Sequence, residues 1–182
     1  MPIAYNLSDS QHAGNGQIDG SFWANAFIHG SNGHDYYVAS HVQDYASDIE
    51  GARPSYRAAI LDITNTSFYR QYVKVVDPEA QMSFWDEDGE FYAIFEEGGM
   101  GMETANPGGD PLTGVRTWSK IEGVNFDFTF NFSAPAVLNA ALGAYPVNGG
   151  WGYEWSSPRG ATSGWLEIDG EVIDIIPEKS ST

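Results

Sequence analysis

The sequence predicts an all-β domain of antiparallel strands, arranged as a barrel or a sandwich. The clearest signal lies at 124–133, where Phe126, Phe128, Phe130 and Phe132 alternate with polar residues. Only an extended strand places residues i, i+2 and i+4 on one face, so this strand has a phenylalanine face and a polar face. Aromatic residues form 14% of the chain and Gly occupies 21 of its 182 positions, which is typical of strands joined by tight turns. The phenylalanine face either packs on a core or lines an apolar cavity.

Turn signals divide the chain into about ten short strands. After an irregular arm at 1–16, a Gly-Ser-Asn-Gly segment joins the first two strands, and Asn-Gly favours a two-residue hairpin turn. Pro135 suits the first position of a helix and Gly143 suits the position after one, so the single short helix is predicted at 135–142. Loops are expected at 48–54 and 106–114, and 98–102 is either flexible or a bulged strand. The predicted strands are 21–29, 34–45, 56–63, 68–76, 82–85, 90–96, 115–119, 124–133, 151–155, 165–168 and 172–176.

Charge and composition exclude several classes of function. The formal net charge is −17, from 25 acidic and 8 basic residues, which argues against binding to nucleic acids or anionic membranes. No stretch approaches the roughly 20 consecutive apolar residues of a membrane span. Cys is absent, which excludes disulfides, thiolate metal sites and Cys nucleophiles.

Location in the cell stays open at this stage. The first residues lack the basic and apolar regions of a signal peptide. Glycosylation sequons begin at Asn6, Asn65 and Asn131. The protein is therefore expected either to be cytoplasmic or to be a secreted glycoprotein whose leader has been removed.

No metal or cofactor is expected. The four His residues show neither helical nor other familiar ligand spacing, and the acidic turn at 86–90 lacks the length of an EF-hand loop. The sequence also contains no nucleophile elbow, P-loop or dinucleotide fingerprint.

The first predicted hairpin carries a candidate acid or base. A two-residue turn would pair Ala24 with His41 and Asn25 with Ser40, placing the imidazole on a face that is rich in alanine. His41 there could exchange a proton with a ligand near neutral pH, or it could be a hydrogen-bonded structural residue. A slip of one residue would exchange the two faces. Asp44, three residues beyond His41, falls on the opposite face unless a bulge intervenes.

Later strands add a carboxyl group and apolar candidates. Glu96 shares a strand face with Tyr92; in an apolar cavity it could act as an acid, and at a strand end it would be solvated. Two Met residues suit either a pocket wall or ordinary core, and Trp side chains could stack on a ligand or fill the core. The candidate catalytic residues are His41, Asp44 and Glu96, and the candidate substrate-binding residues are Trp23, Asn25, Ser40, Tyr92, Met100, Met102 and Trp118.

Four segments resemble a known group of enzymes. The segments 151–158 and 162–170 are similar to the lipocalin-like proteins that include hydroxyneurosporene synthase, kievitone hydratase and the fungal Diels–Alderases. The early segments 20–27 and 34–41 look like the first hairpin of that group. The resemblance implies a lipocalin-like barrel or half-barrel.

Members of that group usually have two lipocalin-like halves with a ligand pocket in or near the cleft between them. The chain resembles the amino-terminal half, so residues 1–182 are expected to form a single domain whose carboxy-terminal companion lies on the same chain or a separate one.

The resemblance also implies an enzyme of natural-product biosynthesis that acts on a hydrophobic polyketide or terpenoid. The leading interpretation is a cofactor-free pericyclase that performs a Diels–Alder or hetero-Diels–Alder cyclisation by holding the reacting groups together. The alternative is a hydratase or dehydratase of the kievitone hydratase type, which needs a placed acid and base. A third possibility is a carrier that binds an apolar ligand without changing it.

Overall fold

The computed structural model describes residues 20–44, 53–77, 81–85, 91–95, 99–106, 113–139, 143–147 and 150–182. Within these ranges the chain is mostly β-strand, with a 3-10 turn at Pro177–Lys179 and a further residue in 3-10 conformation at Asn139. The strands are β1 Gly20–His29, β2 Asp35–Asp44, β3 Ser55–Asp62, β4 Tyr69–Val75, β5 Gln81–Trp85, β6 Phe91–Phe95, β7 Met100–Thr104, β8 Gly114–Ile121, β9 Val124–Phe132, β10 Val137–Leu138, β11 Ala144–Val147, β12 Gly150–Tyr153, β13 Trp155–Ser156, β14 Gly160–Ile168 and β15 Glu171–Asp174.

Two antiparallel sheets form an open half-barrel. The four-stranded sheet has the order β1-β2-β3-β4, and the seven-stranded sheet has the order β15-β14-β9-β8-β7-β6-β5. Two short ribbons, β10-β13 and β11-β12, stand apart from them. The predicted all-β, lipocalin-like antiparallel architecture is confirmed.

The segment after β15 joins the two sheets along one edge. Ile175 forms a bridge to Gly30 at the end of β1, and Ser181 bridges both Phe27 of β1 and Ala161 of β14. Two backbone hydrogen bonds of 2.9 Å link Phe27 and Ser181 in both directions. The carboxy-terminal residues therefore lie between β1 and β14 and hold the sheets in one unit.

The inner faces of the sheets enclose the core. Phe126, Phe128 and Phe130 are at most 2% exposed, and Phe132 is half-buried. The rings of Phe126 and Phe128 stack with centroids 4.5 Å apart, so the row packs partly on itself. Each fully buried ring contributes about 1.5–3 kcal/mol through apolar burial. The alternation predicted for this strand is confirmed, and the phenylalanines belong to the main core.

The register of the first hairpin differs by one residue from the prediction. Three residues, 31–33, form the loop, because Gly33 takes a positive φ of 83° and the backbone N–H of Gly30 donates to the carbonyl of His34. This is the geometry of a three-residue hairpin loop, which needs a glycine at its last position. Trp23 therefore pairs with His41, and Ala24 pairs with Ser40. The predicted pairing of Ala24 with His41 is wrong, and the two faces of β2 are exchanged.

The helix predicted at 135–142 is also wrong for residues 135–138, whereas Asn139 is in 3-10 conformation. Val137–Leu138 forms a strand that pairs with Trp155–Ser156. Pro135 and Gly143 have the local preferences of helix ends, but tertiary pairing with β13 overrides them. Residues 140–142 lie outside the described ranges. No helix among the described residues is long and apolar enough to cross a membrane.

Candidate functional site

The inner face carries a cluster of buried hydroxyl groups that links the two sheets. Tyr56 of β3 donates a 3.1 Å hydrogen bond to the carbonyl of Trp118. Thr117 donates to the carbonyl of Gly101 at 2.8 Å, so the 2.7 Å contact between Ser40 and Thr117 has Ser40 as its donor. Burial raises the pKa of Tyr56 to about 12, so its phenol stays neutral at physiological pH. These donors are occupied by protein acceptors, which is the arrangement of a structural network.

Three predicted substrate-binding residues lie within this core. Ser40 is 1% exposed, Met100 is 0% exposed and Met102 is 3% exposed. Met100 pairs with Ser119 and Met102 pairs with Thr117, beside the hydroxyl cluster. These three side chains pack in the interior. Of the two roles that the sequence left open for the methionines, pocket wall or ordinary core, they have that of ordinary core.

The outward face of the four-stranded sheet brings together a different set. Because the strands are in register, outward-pointing residues form four rows of four across the sheet. We call this surface the outer face of the four-stranded sheet. Its rows are Ser21-Gln43-Ser55-Val75, Trp23-His41-Arg57-Val73, Asn25-Ala39-Ala59-Gln71 and Phe27-Tyr37-Leu61-Tyr69.

His41 is held tightly on this face. Its ring stacks on the indole of Trp23, with centroids 3.7 Å apart and planes inclined by 6°. Its Nε2 lies 2.9 Å from Ser21 Oγ, which also accepts a 3.0 Å hydrogen bond from Trp23 Nε1. Nδ1 is buried and has no hydrogen-bond partner among the described residues. A polar atom in that state is costly unless a ligand, water or another segment satisfies it.

The electrostatics of the site keep this imidazole neutral. Burial, and to a lesser extent the cross-strand guanidinium of Arg57, lower the pKa of His41 to about 4. The ring itself is 4% exposed although Trp23 is 60% exposed. At neutral pH His41 can accept a proton but does not carry a positive charge.

A row with short side chains at its centre crosses the sheet beside His41, and we call the strip above it the groove. Its floor is the row of Ala39 and Ala59, whose short side chains lie between two rows of larger ones. Carboxamides stand at its two ends, from Asn25 on β1 and Gln71 on β4. Adjacent rows are about 7 Å apart, because two residues of a strand span that distance, so the groove fits a flat apolar group. Alanine therefore does adjoin His41, but through Ala39 rather than through Ala24 and Ala26, which face inward.

The remaining predicted residues lie elsewhere. Tyr92 is half-buried on the outward face of the seven-stranded sheet, opposite Glu103. Trp118 is 7% exposed and covers Gly101, where any added Cβ would lie 2.8 Å from its ring. Asp44 pairs with Gly20 at the end of β2, but its side chain and the whole of Glu96 lie outside what the structure describes.

Arg116 is committed to an ion-pair cluster next to Trp118. Its guanidinium makes contacts of 2.9 and 2.7 Å with both carboxylate oxygens of Asp127 and one of 2.8 Å with Glu103. The guanidinium also lies 4.9 Å from the centre of the Trp118 ring. Among the described residues no group of three or more His, Asp or Glu side chains could hold a metal ion.

Of the predicted site residues, the structure places Trp23, Asn25 and His41 on one surface. Sequence reasoning missed Ser21, Arg57 and Ala59 there. Only the cross-strand register brings Arg57 and Ala59 to this face, and that register depends on the loop geometry.

Comparison with known proteins supports the resemblance read from the sequence. Kievitone hydratase of Fusarium solani subsp. phaseoli is 28% identical over 183 residues, which cover 100% of this chain and 47% of that protein. The dehydratase asqC of Emericella nidulans is 27% identical over 199 residues, covering 100% of this chain and 48% of that protein. No protein-family model matches the chain.

Comparison with solved structures supports the same resemblance. The crystal structure of kievitone hydratase from Nectria haematococca superposes with a TM-score of 0.75 at 27% identity, over 98% of this chain and 49% of that one. A putative AttH from Nitrosomonas europaea shares the fold alone, with a TM-score of 0.54 at 14% identity over 89% of this chain and 48% of that one. The chain spans about half the length of the curated relatives it matches, and its resemblance to the lipocalin-like group that includes kievitone hydratase is confirmed over its whole length.

Proposed function

We propose that this chain is one half, the amino-terminal one, of an enzyme that adds water to, or removes water from, an apolar natural product. The observation that carries the proposal is the similarity of the whole chain to a hydratase and a dehydratase, together with the fold shared with kievitone hydratase. These names favour the hydro-lyase interpretation over the pericyclase, because neither relative is named as a cyclase. The relatives' doubled length supports a companion half.

We place the substrate on the outer face of the four-stranded sheet. Its flat apolar part lies in the groove above Ala39 and Ala59, and the carboxamides of Asn25 and Gln71 bind polar groups at its ends. An apolar floor with a few polar groups at its margins is the usual composition of a small-molecule site. The companion half closes the groove from above and excludes water.

His41 supplies the base in this proposal. Hydration of a carbon–carbon double bond breaks an O–H bond of water, adds its oxygen to one carbon and adds a proton to the other. Neutral His41 accepts the proton from water through Nδ1, and an acid delivers one to carbon. Nδ1 is buried in this structure, so a neighbouring side chain has to move before water reaches it. Trp23, which stacks on the ring and is 60% exposed, has room to do so. Glu96 remains the candidate acid.

The test is a hydration assay on the complete native protein. Kievitone and other apolar alkenes are incubated with it in oxygen-labelled water, and products are identified by mass spectrometry. We expect a product heavier by one labelled water, and we expect His41→Gln to lower kcat while Val172→Ala, on the far sheet, leaves it unchanged. An unlabelled product of the same mass as the substrate would indicate cyclisation, and substrate returned unchanged would indicate a carrier; either result overturns the proposal.

A further inference from the structure

Exposed apolar side chains are concentrated on the outer face of the four-stranded sheet. Trp23 and Phe27 of β1 are 60% and 58% exposed, and Tyr69, Val73 and Val75 of β4 are 49–58% exposed. All five point to the same side because their positions share parity in paired strands. A contiguous apolar surface of this kind marks a place where another surface packs.

The four rows of this face contain no acidic residue, although the chain has 25, and the carboxylate of Asp35 on the same side lies beyond the last row and is paired with His29. Its four rows of four contain one permanently charged residue, Arg57, besides the neutral His41. Depletion of charge at the centre of a surface is the compositional signature of an interface core.

The outward face of the seven-stranded sheet has the opposite character. Arg116 is paired there with Asp127 and Glu103, and Asn125 donates a 2.7 Å hydrogen bond to Glu167. These polar groups satisfy one another and face solvent. The apolar exposure on the four-stranded sheet is therefore a property of that face and not of the whole fold.

The carboxy-terminal segment of the chain lies at the edge of the apolar face. Ser181 is hydrogen-bonded to Phe27, so the last described residues run along β1, at the border of the outer face of the four-stranded sheet. In the two-half enzyme the polypeptide that follows Thr182, when the halves share one chain, starts beside this face. A companion domain of similar size reaches it without a long linker.

We propose that the outer face of the four-stranded sheet is the docking surface for the companion lipocalin-like half. The inference rests on the proposed two-half enzyme and adds the identity of the contact face. The companion seats on the raised side chains of Trp23, Phe27, Val73 and Val75 and spans the groove over Ala39 and Ala59. Opposite the four rows its contacting surface is apolar and carries no basic patch, because these rows offer no carboxylate for one to pair with.

Two valines give a matched test. Val73 on this face is 56% exposed, and Val172 on β15, the edge strand of the seven-stranded sheet, is 59% exposed. The chain contains no Cys, so Val73→Cys and Val172→Cys each introduce one addressable thiol into it. Both variants are made in the complete native protein and treated with a thiol reagent, and modification is read at each position by peptide mass spectrometry. Unfolded protein provides the rate for full exposure.

We expect the thiol at position 73 to react at least about tenfold more slowly than the thiol at position 172, because buried thiols are unreactive and exposed ones are not. Equal rates, or protection at 172 alone, would overturn the proposal. Protection at 73 that is lost on dilution, in a protein whose mass shows two copies of this chain and no companion, would assign the face to a homodimer and would overturn it too.

The hydration assay separates the two proposals. Protection at position 73 in a protein that hydrates no alkene leaves the docking face standing and removes the proposed reaction. Hydration with equal thiol rates at 73 and 172 leaves the reaction standing and removes the docking face. Circular dichroism spectra that match the wild type confirm that neither variant has unfolded.

Discussion

Replacement of Trp23 by alanine tests the arrangement on which the candidate site depends. The indole covers one face of the His41 ring at 3.7 Å, and burial is the main cause of the low pKa of that imidazole, about 4. Trp23→Ala exposes the ring to water, so the pKa should rise by about two units toward the ordinary value of 6.5. Arg57 still faces His41 across β2 and β3 and keeps the pKa somewhat below that value.

An NMR titration of the imidazole ring protons measures this pKa directly. At pH 5 the wild-type ring should be about nine-tenths neutral, and the Trp23→Ala ring mostly protonated. Phe27→Ala is the matched control, since it removes an aromatic ring of similar exposure from the same strand without touching His41. A wild-type pKa near 6.5, or an unchanged pKa near 4 in Trp23→Ala, would refute the stacked and buried geometry.

Three further predictions concern the framework that holds the site. Tyr56→Phe should reduce the free energy of unfolding by about 1–3 kcal/mol in urea titrations, because it leaves a buried carbonyl without its donor. The control Tyr69→Phe, on the surface, should reduce it by less than about 0.5 kcal/mol. Equal losses in the two variants would contradict a buried network. Gly164→Ala should reduce the free energy of unfolding by more than about 2 kcal/mol, because Gly164 has a φ of 124° and a Cβ there would collide with the carbonyl of Asp127. A thermal melt unchanged from wild type would count against this backbone geometry. Between pH 6.5 and 4 the unfolded chain binds a proton at His41 that the folded chain excludes. The free energy of unfolding should therefore fall on acidification by up to about 1.4 kcal/mol per pH unit from this group. His41→Gln should flatten that slope, and an identical slope in the variant would show that another group is responsible.

The strands of the core could be predicted because their pattern reflects burial. The alternation from Phe126 to Phe132 appears in the structure as a buried row facing a polar row. Turn residues located the hairpins, and even the weakly predicted strand at 98–102 overlaps β7. In each case the local preference and the tertiary contacts favour the same conformation.

The register of β1 against β2 could not be predicted because two loop geometries fit the same four residues. An Asn-Gly pair favours a two-residue turn, yet Gly33 with φ 83° also completes a three-residue loop. The difference of one residue moves His41 from the face of Ala24 and Ala26 to the face of Trp23 and Asn25. The helix at 135–142 failed for a related reason: the pairing of Val137 with Ser156 is a contact across 19 positions that local signals do not contain.

The position of the site follows from what fills the interior. Phenylalanine rings that stack on one another, methionines at 0–3% exposure and paired hydroxyl groups occupy the space between the two sheets. In a lipocalin-like domain with such a core the interior side chains pack on one another, which disfavours a ligand chamber there. The one buried polar atom on the outer face of the four-stranded sheet that lacks a partner among the described residues, His41 Nδ1, lies beside exposed apolar side chains and an alanine-floored groove. In the enzyme that we propose, the substrate therefore binds outside the sheet, on a surface that becomes a cavity when the companion half covers it.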